Sequence, residues 1–149
     1  MILAPHLLLG AAIASKVQNP VLAIILALLS HYLLDFIPHI EYDIKNIKER
    51  RWRNAGAEVR NVLFDFLAGI LLIFFSTNSG PLIYICAFVA LIPDFLTFLN
   101  IALPNKILNL HDLMHRRKIH FLKNKKIPSF WRVSTQIITI VILLILLKF

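Results

Sequence analysis

Hydrophobic residues occur along this chain in long runs separated by short polar stretches. A helix that crosses a hydrocarbon core of roughly 30 Å needs about 20 consecutive, largely apolar residues. Four runs of about that length and one shorter run cover residues 2–15, 20–39, 58–77, 81–103 and 129–147. The pattern therefore predicts an all-α fold, a polytopic membrane helical bundle of four or five hydrophobic helices.

The run at 2–15 is too short to cross a bilayer as a regular helix. It has no basic stretch before it and continues into more hydrophobic chain, unlike a cleavable signal peptide. We expect a half-helix or a re-entrant element there. Because no Gly/Ser linker, repeat or low-complexity stretch divides the chain, a single integral membrane domain is expected over residues 1–149.

Composition and charge agree with a membrane protein and give it an orientation. Hydrophobic residues make up 58% of the chain, and the mean hydropathy is +0.75. Fourteen of the sixteen Lys and Arg lie in or beside two loops, 40–60 and 104–128, whereas the turn at 77–81 has none. Because basic residues accumulate on the cytoplasmic side, we expect a multi-pass protein of the plasma (inner) membrane with both basic loops cytoplasmic. The net charge of +8 is interpreted as topology and attraction to membrane lipid, and no nucleic-acid partner is expected.

Three carboxylates lie inside the hydrophobic runs: Asp35, Asp65 and Asp94. An unpaired charge at membrane depth costs several kcal/mol or more, so such residues are candidates for function. An ion pair with a nearby base is disfavoured, because no Lys or Arg lies within 20–40 or 61–104. Protonation, hydrogen bonds to histidine or backbone, or a bound metal ion remain as ways to stabilise them.

Histidines accompany these carboxylates. His31, Asp35 and His39 recur every four residues, which on a continuous helix keeps them within about 80° of one face. His6 is expected at a similar depth, and the second basic loop adds four polar residues on the same side. The candidate metal ligands are His6, His31, Asp35, His39, Asp65, Asp94, His115 and His120. Mixed imidazole and carboxylate ligands favour one or two divalent ions, zinc first and manganese or iron next, while a proton or ion relay and ordinary structural polar residues are the alternatives.

Three stretches resemble a known family. Residues 5–12 (PHLLLGAA), 30–39 (SHYLLDFIPH) and 115–120 (HRRKIH) resemble the YdjM-like membrane-bound metal-dependent hydrolases of prokaryotes. That family is in turn similar, more distantly, to zinc phospholipase C and the nucleases of the P1 type, which use His-x3-Asp pairs at clustered metals. Its members often carry Pro-Asp-x-Asp-His and His-Arg-Gly-x-Thr-His, whereas this chain has Leu34-Asp35 in the first motif and lacks the Gly and Thr of the second.

The metal site and the resemblance together imply a membrane-embedded hydrolase. We expect it to act on a phosphoester or lipid-linked substrate at the cytoplasmic membrane face, with His111 and Asp112 moving protons. Arg116, Arg117 and Lys118 are candidates for holding a phosphate, with interfacial anchoring as their alternative role. The competing hypothesis is a non-catalytic membrane protein, either an ion or proton carrier or a scaffold with a structural metal.

Overall fold

Helices are the only regular elements in the described part of the chain, which covers residues 1–77, 80–115 and 127–149 of a computed structural model. The all-helical prediction is therefore confirmed. In chain order, the helices are α1 (Leu3–Lys16), α2 (Pro20–Asp35), α3 (Lys45–Lys48), α4 (Gly56–Ser76), α5 (Pro81–Val89), α6 (Ile92–Ala102), α7 (Lys106–Met114) and α8 (Ser129–Lys148), with a 3₁₀ turn at Trp52–Asn54.

The short first helix lies at the centre of the bundle. Helix α1 packs against α2, α4, α5 and α8, and Leu7, Leu8 and Ala11 are fully buried. Small residues allow this close packing: a Cβ on Gly10 would lie 2.4 Å from the carbonyl oxygen of Cys86 in α5. The element expected to be a half-helix or re-entrant segment is thus a regular helix of 14 residues with neighbours around it.

Helix α2 ends earlier than the hydrophobic run that predicted it. Asn19 caps its first turn by accepting a hydrogen bond from the amide of Leu22, and Pro20 occupies the first helical position. The helix ends at Asp35, three residues before Pro38. Proline disfavours the α conformation in the residue before it, so the helix ends before that residue is reached. The chain then continues as a loop to residue 44.

The predicted helix over 81–103 is two helices. Helices α5 and α6 meet at a bend of 48°, and Pro93 lies in the first turn of α6. Proline lacks the amide hydrogen that would continue the helical hydrogen-bond pattern, which accounts for a break at this position. The bend releases the carbonyl oxygen of Ala90 for a side chain of α2.

Two described helices, α4 and α8, are long and apolar enough to cross a membrane, and the bent pair α5–α6 makes a third if it forms one span. Helices α1 and α2, with 14 and 16 residues, are apolar but shorter. Large apolar side chains cover the outside of the bundle; Val21, Leu33 and Phe75 are all more than half exposed. This surface is weakly consistent with a lipid-facing bundle.

Both predicted basic loops contain short helices. The loop at 40–60 holds α3 and the 3₁₀ turn, and the described part of the loop at 104–128 holds α7. Asn105 caps α7 by accepting a hydrogen bond from the amide of Leu108. Helix α7 ends at Met114 and delivers His115 to the bundle interior, where it is 2% exposed.

Candidate metal centre

Asp35 is the centre of a buried cluster of polar side chains. It is the last residue of α2 and is 1% exposed. Its Oδ2 atom lies 3.1 Å from His31 Nε2, one helical turn earlier, and 3.0 Å from His115 Nε2. The two imidazole nitrogens are 3.2 Å apart. Three ligand-type atoms from two distant parts of the chain therefore face one point.

The other nitrogen of each imidazole has a partner that orients the ring. His31 Nδ1 donates to the carbonyl oxygen of Ala90, at 2.8 Å, which the bend before α6 makes available. His115 Nδ1 lies 3.2 Å from the Thr97 hydroxyl of α6, which can accept its hydrogen. With hydrogens on Nδ1, both Nε2 atoms present lone pairs toward Asp35. Metal-binding histidines are commonly held in this way.

Asp94 completes the cluster. It lies in the first turn of α6, and its Oδ1 is 3.8 Å from His31 Nε2. One donor atom each from His31, Asp35, Asp94 and His115 lie within 4.8 Å of one another. The Asp94 side chain is 29% exposed, whereas those of His31 and Asp35 are fully buried. This cluster could hold a metal ion, with Asp94 on its more accessible side.

The arrangement fits a small divalent cation. Bonds of 2.0–2.2 Å in tetrahedral geometry separate ligand atoms by about 3.4 Å, and the separations above bracket that value. Two imidazole lone pairs and a carboxylate oxygen in close contact repel one another unless a cation or proton lies between them. The Met1 amino group pairs with the other oxygen of Asp35, and no Lys or Arg among the described residues comes within ion-pair distance of Asp94.

The second oxygen of Asp35 faces a different set of groups. Asp35 Oδ1 is 2.5 Å from the amino nitrogen of Met1, 3.3 Å from His6 Nε2 and 3.9 Å from His39 Nε2. His6 is fully buried and stacks on His31 with 4.1 Å between ring centroids. Neither ring nitrogen of His6 makes a well-aligned hydrogen bond within the described residues. His6 thus contributes a buried imidazole with spare ligand capacity.

His39 reaches the cluster by a different route from the predicted one. The prediction that His31, Asp35 and His39 share one face of a continuous helix is wrong. Helix α2 ends at Asp35, and His39 lies in the following loop. The loop turns back, so that His39 Nε2 faces Asp35 and Glu41 while its Nδ1 donates to the carbonyl oxygen of Ile37 at 2.6 Å. Asp35, His39 and Glu41 therefore form a continuous polar path out of the cluster.

Asp65 is directed away from the metal cluster and toward the start of α1. Its Oδ2 accepts hydrogen bonds from the amide of Ala4, at 3.0 Å, and from the Tyr42 hydroxyl, which itself accepts from the amide of Leu3. Burial, with Asp65 alongside, raises the pKa of Tyr42, so the hydroxyl keeps the hydrogen that it donates. Asp65 satisfies free amides of the α1 N-terminus, a capping role supplied from a distant helix.

The two residues predicted to move protons are on α7, and His111 lies beside the cluster. His111 Nε2 is 3.2 Å from the Tyr32 hydroxyl, and its ring centroid is 5.5 Å from that of His115. Burial, and next the neighbouring His115, lower the pKa of His111, so it is neutral at pH 7. Asp112 is 4% exposed. Arg116, Arg117, Lys118 and His120 lie outside the described residues.

Six groups around the site were not predicted from the sequence: the Met1 amino group, Tyr32, Glu41, Tyr42, the Ala90 carbonyl and Thr97. Tyr32 is adjacent to His31, and its ring contacts three imidazoles edge-on. Pro93 signalled a helix break close to Ala90, because proline interrupts the helical hydrogen-bond pattern of the preceding turn. Thr97 and Tyr42 act through contacts across the bundle that no local spacing reveals.

Comparison of the chain with protein-family models, curated proteins and solved structures finds no match.

Proposed function

We propose that this chain is a membrane-embedded, metal-dependent hydrolase that acts on a phosphoester or lipid-linked substrate at the cytoplasmic membrane face. The observation that carries the proposal is the buried cluster of His31, Asp35, Asp94 and His115. His31 and His115 bury their Nε2 atoms against Asp35 Oδ2, whereas the Met1 amino group pairs with Oδ1. A divalent ion held by imidazole and carboxylate is a common hydrolytic centre.

Zinc fits this ligand set best. Two neutral imidazoles and one or two carboxylates are typical ligands of zinc, with manganese and iron as the next candidates. His6 and His39 are the further residues near Asp35 that would hold a second ion. Such an ion supplies an activated water and an electrophile for a phosphoryl oxygen.

The roles of the protein side chains follow from their burial. His31, Asp35 and His115 are almost fully buried and serve as ligands, whereas Asp94 faces the accessible side and takes a proton from the attacking water. His111, neutral at pH 7, is the second candidate for moving a proton, held by Tyr32. Three ligands with one open position are the usual arrangement of a catalytic zinc centre.

We propose that the whole bundle is embedded in the membrane. Helices α4, α8 and the bent pair α5–α6 have the required length, and the shorter α1 and α2 are tolerated because neighbouring helices surround or flank them. The basic segments then lie on the cytoplasmic side. The resemblance of residues 5–12, 30–39 and 115–120 to YdjM-like hydrolases supports the same function.

A structural metal in a non-catalytic scaffold is the second candidate function. If Asp94 acts as a fourth ligand, the site is closed, as in structural zinc centres. Asp94 Oδ1 lies 3.8 Å from His31 Nε2, so a small movement of the Asp94 side chain would make it a fourth ligand.

The first test is metal content by mass spectrometry of detergent-purified protein. We expect one or two equivalents of zinc or manganese in the wild type, and loss of the metal in His31→Ala and Asp35→Ala. Asp43→Ala, which removes an exposed loop carboxylate, is the matched control and should keep the metal. Folded wild-type protein without metal, purified without chelators, would contradict the proposal.

Hydrolysis separates the two candidate functions. With a chromogenic phosphodiester or a short-chain phospholipid as substrate, Asp94→Asn should retain the metal and lose activity by about 100-fold or more, as expected for loss of a general base. If Asp94→Asn loses the metal instead, Asp94 is a ligand and the structural-metal function is favoured.

A further inference from the structure

A cleft opens between the loop after α2, helix α3 and the start of α8. It has a volume of about 650 Å³, within the usual range for sites of small ligands. Its walls carry three cations and three carboxylates: Lys45, Lys48, Arg132, Glu41, Asp43 and Glu49. The proposed reaction has not used any of the three cations.

Hydrogen bonds fix both walls of this cleft. The amide of Ile40 donates to Gln136 Oε1 of α8 at 3.3 Å, and the Thr135 hydroxyl donates to the carbonyl oxygen of Pro38. On the opposite side, Glu58 of α4 accepts from the amides of Asn46 and Ile47, both at 2.9 Å. Lys45 and Lys48 therefore project from a fixed segment, which reduces the entropy lost on binding an anion.

The cleft connects with the metal cluster. Glu41 lines the cleft and its Oε1 is 3.6 Å from His39 Nε2, which in turn lies 3.9 Å from Asp35 Oδ1. Two of the carboxylates also engage groups other than the three cations: Asp43 accepts from the amide of Lys45, and Glu49 pairs with Arg51. An anion held by the three cations would lie at the outer end of a polar path to the candidate metal site.

The position of the cleft along α8 indicates the source of that anion. Arg132 and Ser129 line the cleft, and the adjacent Phe130 and Trp131 are 70% and 59% exposed. Aromatic side chains at the end of an apolar helix are typical of the level of lipid headgroups. Exposed Phe36 and Ile37, in the loop before the cleft, extend the apolar surface.

We infer that this cleft binds the phosphate headgroup of a membrane lipid, with Lys45, Lys48 and Arg132 as the phosphate-binding residues. The apolar surface beside it accommodates the acyl chains. The inference rests on the proposed function, since it identifies the substrate class of the same site as a phosphate-bearing lipid. Cation and phosphate together supply charge-assisted hydrogen bonds, the strongest available at a polar surface.

The test is native mass spectrometry of the full chain in detergent, titrated with dilauroylphosphatidylglycerol. The triple variant K45Q/K48Q/R132Q should bind this lipid at least about tenfold more weakly, since the charge-assisted hydrogen bonds to the phosphate are lost. The control R53Q/R60Q/K106Q removes three cations outside the cleft and should bind within about twofold of wild type. If lipid binding is weakened equally in the cleft variant and in the control variant, the effect is general electrostatic attraction, and the inference is overturned.

Two further arms complete the experiment. Displacement of the lipid by millimolar inorganic phosphate would identify a site for the free anion and contradict a lipid headgroup. The variant Asp35→Asn, designed to lose the metal, should still bind the lipid, so that failure of the metal proposal and failure of this inference give different results. Lys45 and Lys48 are exposed, and their single variants, K45Q and K48Q, keep the test valid if the triple variant does not fold.

Discussion

The histidines of the metal centre are oriented by groups that lie behind them. His31 is held by a backbone carbonyl that a bend in another helix makes available, and His115 by the hydroxyl of Thr97. These contacts fix which nitrogen faces the cluster, so they belong to the site although they touch no ion. Substitutions at such positions change affinity without removing a ligand.

Replacing Thr97 by valine tests this orientation. The change keeps the size of the side chain but removes the hydroxyl that His115 Nδ1 contacts, so we expect metal affinity to fall by about tenfold. Competition with a zinc-binding dye measures the affinity. Thr139→Val removes a hydroxyl that bonds only within α8 among the described residues and should leave it unchanged; equal effects would contradict an orienting role.

A second prediction concerns the side chain of Asp65. Because it accepts hydrogen bonds from Ala4 and Tyr42, Asp65→Ala should lower the free energy of unfolding by about 1–2 kcal/mol, as the loss of a helix cap does. Thermal unfolding in detergent measures the change, with metal content determined on the same sample. Folded Asp65→Ala protein that has lost its metal would restore Asp65 as a ligand.

The sequence indicated which residue types could be metal ligands. It indicated only in part which of these residues lie together in the fold. Buried carboxylates without a nearby Lys or Arg indicated that histidine or metal had to stabilise them, and Asp35, His31, His115 and Asp94 are found together. Asp65 has the same local sequence character but lies near the start of α1. Nothing in a hydrophobic run distinguishes a metal-facing carboxylate from one that caps a distant helix.

At the level of helices, close packing between α1 and α5 sets the position of His6. Gly10 lies against the backbone of Cys86 and Ala87, where no side chain fits. A glycine inside a helix is unfavourable by itself by about 1 kcal/mol relative to alanine. Its presence here is explained by the short distance between the two helices.

Substitution of Gly10 by alanine should therefore destabilise the bundle. Its Cβ would lie 2.4 Å from a carbonyl oxygen of α5, so we expect a loss of about 1–3 kcal/mol from overpacking despite the better helix propensity of alanine. Gly56→Ala in α4, where an added Cβ meets nothing within 4 Å, is the control and should be neutral or slightly stabilising. Chemical denaturation in detergent measures both, and similar values would argue against tight α1–α5 packing.

Helix ends were the least predictable features of the elements. A run of apolar residues gives the approximate length of a helix, but proline decides where it stops or bends. Pro38 and Pro93 were both visible in the sequence, and they mark the end of α2 and the break between α5 and α6. The sizes of these effects depend on packing, so a 48° bend could not be derived from the proline alone.

For the whole molecule, the distribution of charge makes a prediction about orientation. In a Cys86→Ala background, Lys106→Cys should be protected from a membrane-impermeant maleimide in intact cells, and Gly80→Cys should react. The reason is that Lys106 belongs to a predicted cytoplasmic segment, whereas position 80 lies in the turn at 77–81, which has no basic residues. Labelling of both, or of Lys106→Cys alone, would contradict the proposed sidedness; labelling after permeabilisation is the control for reactivity.

The central position of α1 has a consequence for the biosynthesis of the protein. Helix α1 precedes in the chain all the helices that pack around it, and α8 is the last of them. In the proposed membrane-embedded bundle, a helix of 14 residues is too short to be retained by its own hydrophobicity, so α1 would be buried only after the later helices are inserted. His6, on α1, would reach Asp35 only at that stage of assembly. The candidate metal centre would therefore be completed only after α1 is buried among the helices that follow it.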